Sequence, residues 1–238
     1  RPGEVKLRDA SSGELVRTLT GHGNVVAAVA FHPDRRHLAA IDLDGKVVVW
    51  EAATGNPVQT LQVGQRSNAR VPSAGLAFSP DGHRLAAFLV EDFTLSTVRV
   101  WDVTPSTAGA KPAFKPGASI AWNESPFGNL SFTPDSRYIL GGLHAQCLWE
   151  AATGREVRRW PARGTPFLSP DGKQLANISD RDVELRDPES GQLLNVLSGH
   201  QATVQAVAFS RDGLFLATGG ADKSIHVWDL STLRRVRT

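Results

Sequence analysis

The chain has 238 residues, of which 41% are apolar and 21% are charged, and its formal net charge is +2. This composition excludes a disordered chain, and no apolar run approaches the roughly 18 residues that a membrane span needs. The nearly balanced charge disfavours nucleic acid as a partner. A single cysteine, Cys147, excludes an intrachain disulfide and is typical of a reducing compartment, so we expect a cytoplasmic protein without a membrane anchor.

Six short β-prone segments recur along the chain, and each ends in an acidic residue after a Trp or an Arg. They end at Asp9, Glu51, Asp102, Glu150, Asp187 and Asp229. In most cases a turn with a Ser/Thr-Gly pair follows, and then a second β-prone segment. Glycine accepts a positive φ there, so this pattern predicts six hairpins.

A further pair of strands precedes each of the last five hairpins. An aspartate marks the turn inside each pair, at Asp34, Asp81, Asp135, Asp171 and Asp212. Aspartate in such turns accepts a hydrogen bond from the backbone two residues later, which favours a structural role over a catalytic one. We expect the histidines beside these turns, His32, His37 and His83, to face solvent. No histidine suggests a metal site, so no metal ligands are predicted.

A repeated unit of four strands and about 40 residues predicts an all-β fold, a β-propeller of four-stranded antiparallel blades. We predict one domain over residues 1–238, with an outer half-blade at 1–20 and five complete blades. The predicted blades are 21–61, 62–114, 115–160, 161–197 and 198–238. Such a ring leaves strand edges open. We therefore expect either flanking blades, giving six or seven in the full-length ring, or self-association.

The chain resembles the WD-repeat (WD40) propeller family over essentially its whole length. The most specific matches run from Gly21-His22 to Trp50-Glu51 and from Gly199-His200 to Trp228-Asp229. The repeated SPDG and AATG segments are similar to bacterial members, which often sit beside kinase or NTPase domains. The resemblance, together with the absence of any methionine, suggests a fragment of a longer or processed chain.

The resemblance implies a structural tetrad in the last repeat, a chain of hydrogen bonds through His200, Thr218, Asp222 and Trp228. The same Thr, His and Asp are also the residue types of a hydrolase triad. The tetrad accounts for every donor and acceptor, so we favour the structural role and predict no catalytic residue and no cofactor. The first full blade contains part of this set, which is predicted as His22, Asp44 and Trp50, with Ala40 at the hydroxyl position.

The favoured function is a non-catalytic scaffold that binds a protein partner through the loops around the central channel. These loops are the inter-blade connections and the hairpins between the second and third strands of each blade. The candidate partner-binding residues are Asn24, Asp42, Arg66, Asn68, Arg70, Glu91, Asp92, Asn123, Glu124, Arg181, Gln201 and Thr203. Trp122, in a predicted connection, is either core or an exposed binding aromatic.

Two other functions stay open at this point. The first is a sensor or regulatory domain of a larger bacterial signalling enzyme, such as a kinase or an NTPase. The second, a propeller hydrolase or lyase, needs acid/base or metal residues that converge around the channel, and the sequence indicates none.

Overall fold

The computed structural model describes residues 3–64, 73–91, 96–104, 111–122, 129–142, 145–160 and 165–237. All regular secondary structure in these ranges is β-strand, arranged as 22 strands in six antiparallel sheets. Within the same ranges, no helix is long and apolar enough to cross a membrane. The predicted all-β propeller class is confirmed, with five four-stranded blades and one two-stranded half-blade.

Strands that are consecutive in sequence are neighbours in each sheet. The first sheet contains β1 (Val5–Arg8) and β2 (Leu15–Leu19). The second contains β3 (Val26–Phe31), β4 (His37–Asp42), β5 (Lys46–Glu51) and β6 (Pro57–Gln62). The third contains β7 (Ala74–Phe78), β8 (Arg84–Val90), β9 (Ser96–Thr104) and β10 (Ala113–Trp122).

The last three sheets repeat this order. The fourth contains β11 (Leu130–Phe132), β12 (Tyr138–Gly141), β13 (Gln146–Glu150) and β14 (Glu156–Trp160). The fifth contains β15 (Pro166–Leu168), β16 (Leu175–Ser179), β17 (Asp182–Arg186) and β18 (Leu193–Ser198). The sixth contains β19 (Val204–Phe209), β20 (Phe215–Gly220), β21 (Ile225–Asp229) and β22 (Arg234–Arg237).

The turns between the first and second strands of the four-stranded sheets share one hydrogen-bond pattern. The central aspartate accepts the backbone N–H two residues later at 2.7 to 3.1 Å in all five turns, as predicted. In four of them a hydroxyl two residues before the aspartate donates to it, from Ser79, Thr133, Ser169 and Ser210. His32 occupies this hydroxyl position in the second sheet.

These turns also join neighbouring sheets. Nε2 of His32 lies 3.0 Å from the carbonyl oxygen of Gly82, in the turn of the third sheet. The N–H of Asp81 in that same turn donates to Oγ of Ser136, in the turn of the fourth sheet, at 3.1 Å. Hydrogen bonds between turns therefore connect the second, third and fourth sheets.

Both faces of the second sheet pack against neighbours. Ala39 and Ile41 belong to a core shared with the third sheet, whereas Leu38 and Ala40 belong to a core shared with the first. Successive residues of a strand point to opposite faces, so a strand buried on both faces is apolar along its length. This explains why the sequence shows little alternation of apolar and polar residues.

Large apolar side chains are exposed on several strands, among them β3 and β21. Val29 and Phe31 on β3 are 54% and 58% exposed, and each pairs with a residue that packs against the first sheet. The core shared with the first sheet contains buried residues of β4 and β5, and Val26 at the start of β3 packs against it, whereas Val29 and Phe31 stay exposed. On the sixth sheet, Ile225 is 64% exposed.

The prediction that His32 and His37 face solvent is wrong, because each is only 7% exposed. The ring of His32 packs edge-on against Phe78 of the third sheet, with the ring centroids 4.9 Å apart. A neighbouring sheet therefore covers these two histidines. His83 is exposed, as expected.

Strand β10 crosses the predicted boundary between residues 114 and 115, because it continues to Trp122 within the third sheet. Trp122 is 3% exposed and contacts Trp149 edge to face, with the ring centroids 5.2 Å apart. Of the two roles that the sequence left open for Trp122, the structure shows the core role.

Candidate functional site

A continuous chain of hydrogen bonds runs through the sixth sheet. The indole N–H of Trp228 donates to Oγ1 of Thr218 at 3.0 Å, and this hydroxyl lies 2.9 Å from Nε2 of His200. Nδ1 of His200 lies 3.0 Å from a carboxylate oxygen of Asp222. The chain joins the connection before β19, strands β20 and β21, and the hairpin between them.

The order Thr–His–Asp in these bonds is the same as in a hydrolase triad. The burial of Thr218 distinguishes a structural role of this set from a catalytic one. Thr218 is 1% exposed, and its oxygen already accepts the indole N–H of Trp228. A substrate carbonyl therefore has no route to this hydroxyl in the structure. Two hydrogen bonds hold the pKa of Asp222 well below its ordinary value. The larger effect comes from the backbone N–H of Gln201 and the next from the hydroxyl of Ser224, so Asp222 accepts as a carboxylate.

A second histidine ring lies against this network. His226 stacks on His200 with the ring centroids 4.0 Å apart and the planes 14° apart. Nη1 of Arg235 lies 3.3 Å from Nε2 of His226. Burial is the largest cause that lowers the pKa of His226 below its ordinary value of 6.5, and the nearby His200 and Arg235 lower it further. The neutral form of His226 is therefore favoured in the folded protein.

Acidification is therefore expected to destabilise the protein through His226. A histidine whose pKa is lower in the folded state contributes its full stability above the unfolded pKa of about 6.5, and this contribution is lost as the pH falls through the folded pKa. We expect the urea midpoint of the wild type to be lower at about pH 5.5 than at about pH 7.5. This decrease should be smaller in His226→Phe, which keeps a flat ring but cannot be protonated. Equal losses in both proteins would contradict this assignment.

The corresponding network in the second sheet uses a different aspartate from the predicted one. Nδ1 of His22 lies 2.9 Å from Oδ2 of Asp42, and the two side chains are 0% and 1% exposed. The prediction of Asp44 in this role is wrong, because Asp44 instead accepts a hydrogen bond from the amide of Asn24 at 3.1 Å.

The local geometry explains this exchange. Asp42 lies two residues after Ala40, and Gly220 lies two residues after Thr218, so the two positions correspond. A Cβ at Gly220 would lie 2.5 Å from Nδ1 of His200, so no side chain fits there while His200 holds its present place. In the second sheet the carboxylate of Asp42 itself occupies the space beside the histidine.

The network of the second sheet is interrupted in its middle. Ala40 provides no hydroxyl, and Nε2 of His22 is buried without a hydrogen-bond partner among the described residues. The indole N–H of Trp50 donates to the backbone oxygen of Thr20 at 3.1 Å instead. This sheet therefore holds a histidine–aspartate pair and a separate tryptophan bond.

Replacing Ala40 by serine is expected to stabilise the protein by about 1 kcal/mol, because the new hydroxyl can satisfy Nε2 of His22. Ala39→Ser is the matched control. Ala39 is equally buried but faces the apolar core shared with the third sheet, where a hydroxyl has no such acceptor. Urea denaturation compares the two variants, and equal destabilisation by both would show that Nε2 of His22 does not need a partner.

The described loops bring several predicted partner-binding residues together at one end of the sheets. Oγ1 of Thr203 donates to Oδ1 of Asp180 at 3.1 Å, and the N–H of Val204 donates to the backbone oxygen of Asp180 at 2.7 Å. The connection before the sixth sheet is thereby attached to the hairpin of the fifth. Arg181 and Gln201 are exposed beside this contact.

The other predicted partner-binding residues differ in their accessibility. Asn24 and Glu91 are half-buried and hydrogen-bonded, to Asp44 and Thr97 respectively. Asp42 is buried against His22, so its predicted role in partner binding is wrong. The remaining candidates lie outside the described residues: Arg66, Asn68, Arg70, Asp92, Asn123 and Glu124.

One cluster that the sequence did not indicate lies at the opposite end of the second sheet, in the turn between β3 and β4. His32, Asp34 and His37 each offer one donor atom, and these atoms lie within 4.8 Å of one another. The spacing His-x-Asp-x-x-His is present in the sequence. Because the two rings were expected to face solvent, the sequence did not predict that their donor atoms converge on the aspartate.

Two segments of the chain are similar to a known repeat family. A family model described as "WD domain, G-beta repeat" (WD40) matches residues 13–51 and 191–229. The first match contains His22, Asp42 and Trp50, and the second contains the whole tetrad of the sixth sheet. Both segments that match the repeat therefore contain a hydrogen-bonded histidine–aspartate pair.

The relatives are distant and longer than this chain. Mouse WD repeat-containing protein 3 is 26% identical over 168 residues, which is 69% of this chain and 18% of that protein. Nuclear distribution protein PAC1 of Arthroderma benhamiae is 27% identical over 95% of this chain and 45% of its own length. The WD repeat-containing protein WDS homolog of Arabidopsis thaliana is 25% identical over 94% of this chain and 42% of its own length.

The chain spans less than half the length of these three relatives. All three are eukaryotic, so they do not support the bacterial resemblance of the repeats. Residues 13–51 and 191–229 are therefore similar to WD40 repeats, and both segments lie within a propeller of five four-stranded blades and one half-blade.

Proposed function

We propose that this chain is a non-catalytic scaffold that binds a protein partner through its loop face. The loop face comprises the connections before the four-stranded sheets and the hairpins between their second and third strands. The observation that carries the proposal is the contact of Thr203 and Val204 with Asp180, which fixes two neighbouring loops while Arg181 and Gln201 stay exposed beside it. A preorganised surface loses less conformational entropy when it binds.

Other observations support the same proposal. The relatives named above are WD repeat-containing and nuclear distribution proteins, names that describe no enzymatic activity. Of the triad-like residues, His200 and Thr218 are buried inside a blade. The candidate residues beyond the described ranges, with Arg66 and Asn123 as examples, belong to the same set of loops and are included in the proposal.

Arg181→Glu is expected to weaken partner binding about tenfold or more, because it reverses an exposed charge on the loop face. Lys173→Glu is the matched control, since it reverses an exposed charge in the turn at the other end of the same sheet. Wild-type protein and both variants would be used for affinity capture from an extract of the native source.

Proteins retained by the wild type and by Lys173→Glu, but lost with Arg181→Glu, support the loop face. Equal retention by all three would remove this face from the proposal, and reproducible recovery of no protein would remove the scaffold itself.

The alternative, a regulatory domain of a larger signalling enzyme, requires a kinase or nucleotide-binding motif in the same reading frame.

A further inference from the structure

We propose that His32, Asp34 and His37 bind a divalent transition-metal ion of the zinc class. Their donor atoms are two imidazole nitrogens and one carboxylate oxygen, all within 4.8 Å of one another. Imidazole and carboxylate are ligands that zinc accepts in tetrahedral sites, often with a water molecule as the fourth ligand. The site lies in the turn between β3 and β4, away from the loop face, and is independent of the proposed function.

The carboxylate of Asp34 lies between the two rings. Its Oδ1 is 3.1 Å from Nδ1 of His32, and its Oδ2 is 2.7 Å from Nδ1 of His37. Both rings are buried, whereas part of the Asp34 side chain is open to solvent. An ion can therefore reach the three donors from the solvent side and keep a water ligand there.

The charge at this position also suits a cation. The carboxylate of Asp34 accepts the backbone N–H groups of Arg36 and His37 at 2.7 and 3.1 Å, and it supplies the negative charge that stabilises a bound cation. The side chains of Arg35 and Arg36 are exposed, so neither cation has to lie inside the cluster.

The ring of His32 is oriented as in a metal-ligating histidine. Its Nε2 lies 3.0 Å from the backbone oxygen of Gly82, which places the proton on Nε2 and leaves the lone pair of Nδ1 directed toward Asp34. Ligating histidines usually donate their second ring N–H to a carbonyl or a carboxylate in this way. The lone pair now accepts the N–H of Asp34 at 3.1 Å, a contact that the ion would replace. His37 would carry its proton on Nε2 when the ion is bound.

The four equivalent turns show that neither histidine is needed to form the turn. Hydroxyl residues occupy the position of His32 in all four, namely Ser79, Thr133, Ser169 and Ser210. The position of His37 holds Arg84, Tyr138, Gln174 and Phe215. The aspartate alone provides the shared turn geometry. At these two positions the turn of the second sheet has imidazoles, whereas the other four turns have other side chains.

A zinc titration of the whole chain, freed of metal by dialysis against a chelator, tests the site. Calorimetry is expected to show one zinc ion per chain. With free zinc at a hundredfold excess over the dissociation constant, the thermal midpoint should rise by about 5 to 10 °C. No binding and no shift of the midpoint in the wild type would overturn the proposal.

Two substitutions locate the ion, and a third serves as the control. His37→Gln and Asp34→Asn are each expected to weaken zinc binding more than about tenfold. The side-chain amide introduced by Asp34→Asn keeps an oxygen that can accept the N–H of Arg36, so the turn should still form. His83→Ala removes an exposed histidine of the adjacent turn and should retain the wild-type affinity.

Circular dichroism without metal verifies that each variant is folded. Zinc binding that survives both cluster substitutions, or that His83→Ala weakens equally, would place the ion elsewhere and overturn the assignment. Shifts of the His32 and His37 ring resonances on addition of zinc, without a shift at His83, would support it.

Discussion

Asp42→Ala is expected to lower the free energy of unfolding by about 3 kcal/mol, within the range for removing one partner of a buried pair. The carboxylate of Asp42 lies 2.9 Å from Nδ1 of His22 and accepts the N–H groups of Asp44 and Lys46, both at 3.0 Å. The substitution leaves three donors without this acceptor at a site closed to water. Urea denaturation at neutral pH measures the loss.

Asp44→Ala is the control for that experiment, because Asp44 is the residue that the repeat spacing predicts in this role. Its carboxylate accepts a hydrogen bond from the amide of Asn24, in a half-buried position. We therefore expect a smaller loss, about 1 kcal/mol or less. If Asp44→Ala proved the more costly change, the spacing would be the better guide and the pairing of His22 with Asp42 would be wrong.

His200→Ala is expected to cost about 3 kcal/mol, because it interrupts the longest hydrogen-bond chain of the sixth sheet. The hydroxyl of Thr218 and the carboxylate of Asp222 both lose their contact with the ring, and His226 loses the ring on which it stacks. A thermal melt and a urea titration both report the loss.

Gln201→Ala provides the neighbouring control for the His200 variant. The Gln201 side chain is exposed, and its contribution to the network is its backbone N–H, which alanine retains. Its effect should stay within about 0.5 kcal/mol. A melt of His200→Ala that overlays the wild type would count against a structural role for the tetrad and would reopen the question of its chemistry.

The strand pattern and most of the turn chemistry could be predicted from local sequence. Short apolar runs between Gly and Asp turns indicate hairpins, and the repeat of about 40 residues indicates blades. The hydrogen-bond chain of His200, Thr218 and Trp228 is what the resemblance to the WD-repeat family implies, and the structure contains its bonds. These features depend on residues that are close along the chain or at a fixed spacing, so one sequence contains them.

The features that the sequence did not indicate depend on neighbours in space. Asp42 places its side chain beside the ring of His22, whereas a Cβ at the corresponding position, Gly220, would clash with His200. The sequence alone does not show this difference. The burial of His32 depends on Phe78 in the next sheet. A repeat pattern describes one blade at a time and carries no information about the contacts between blades.

The hydrogen bonds between the turns link the local unfolding of one sheet to that of its neighbours. Gly82 accepts from His32 of the second sheet, and Asp81 donates to Ser136 of the fourth, so the turn of the third sheet is held from both sides. Repeat arrays unfold as a sum of intrinsic repeat stabilities and nearest-neighbour coupling terms. We therefore expect local opening of the third sheet to weaken its neighbours as well, so that these three sheets exchange their amide hydrogens as one cooperative unit.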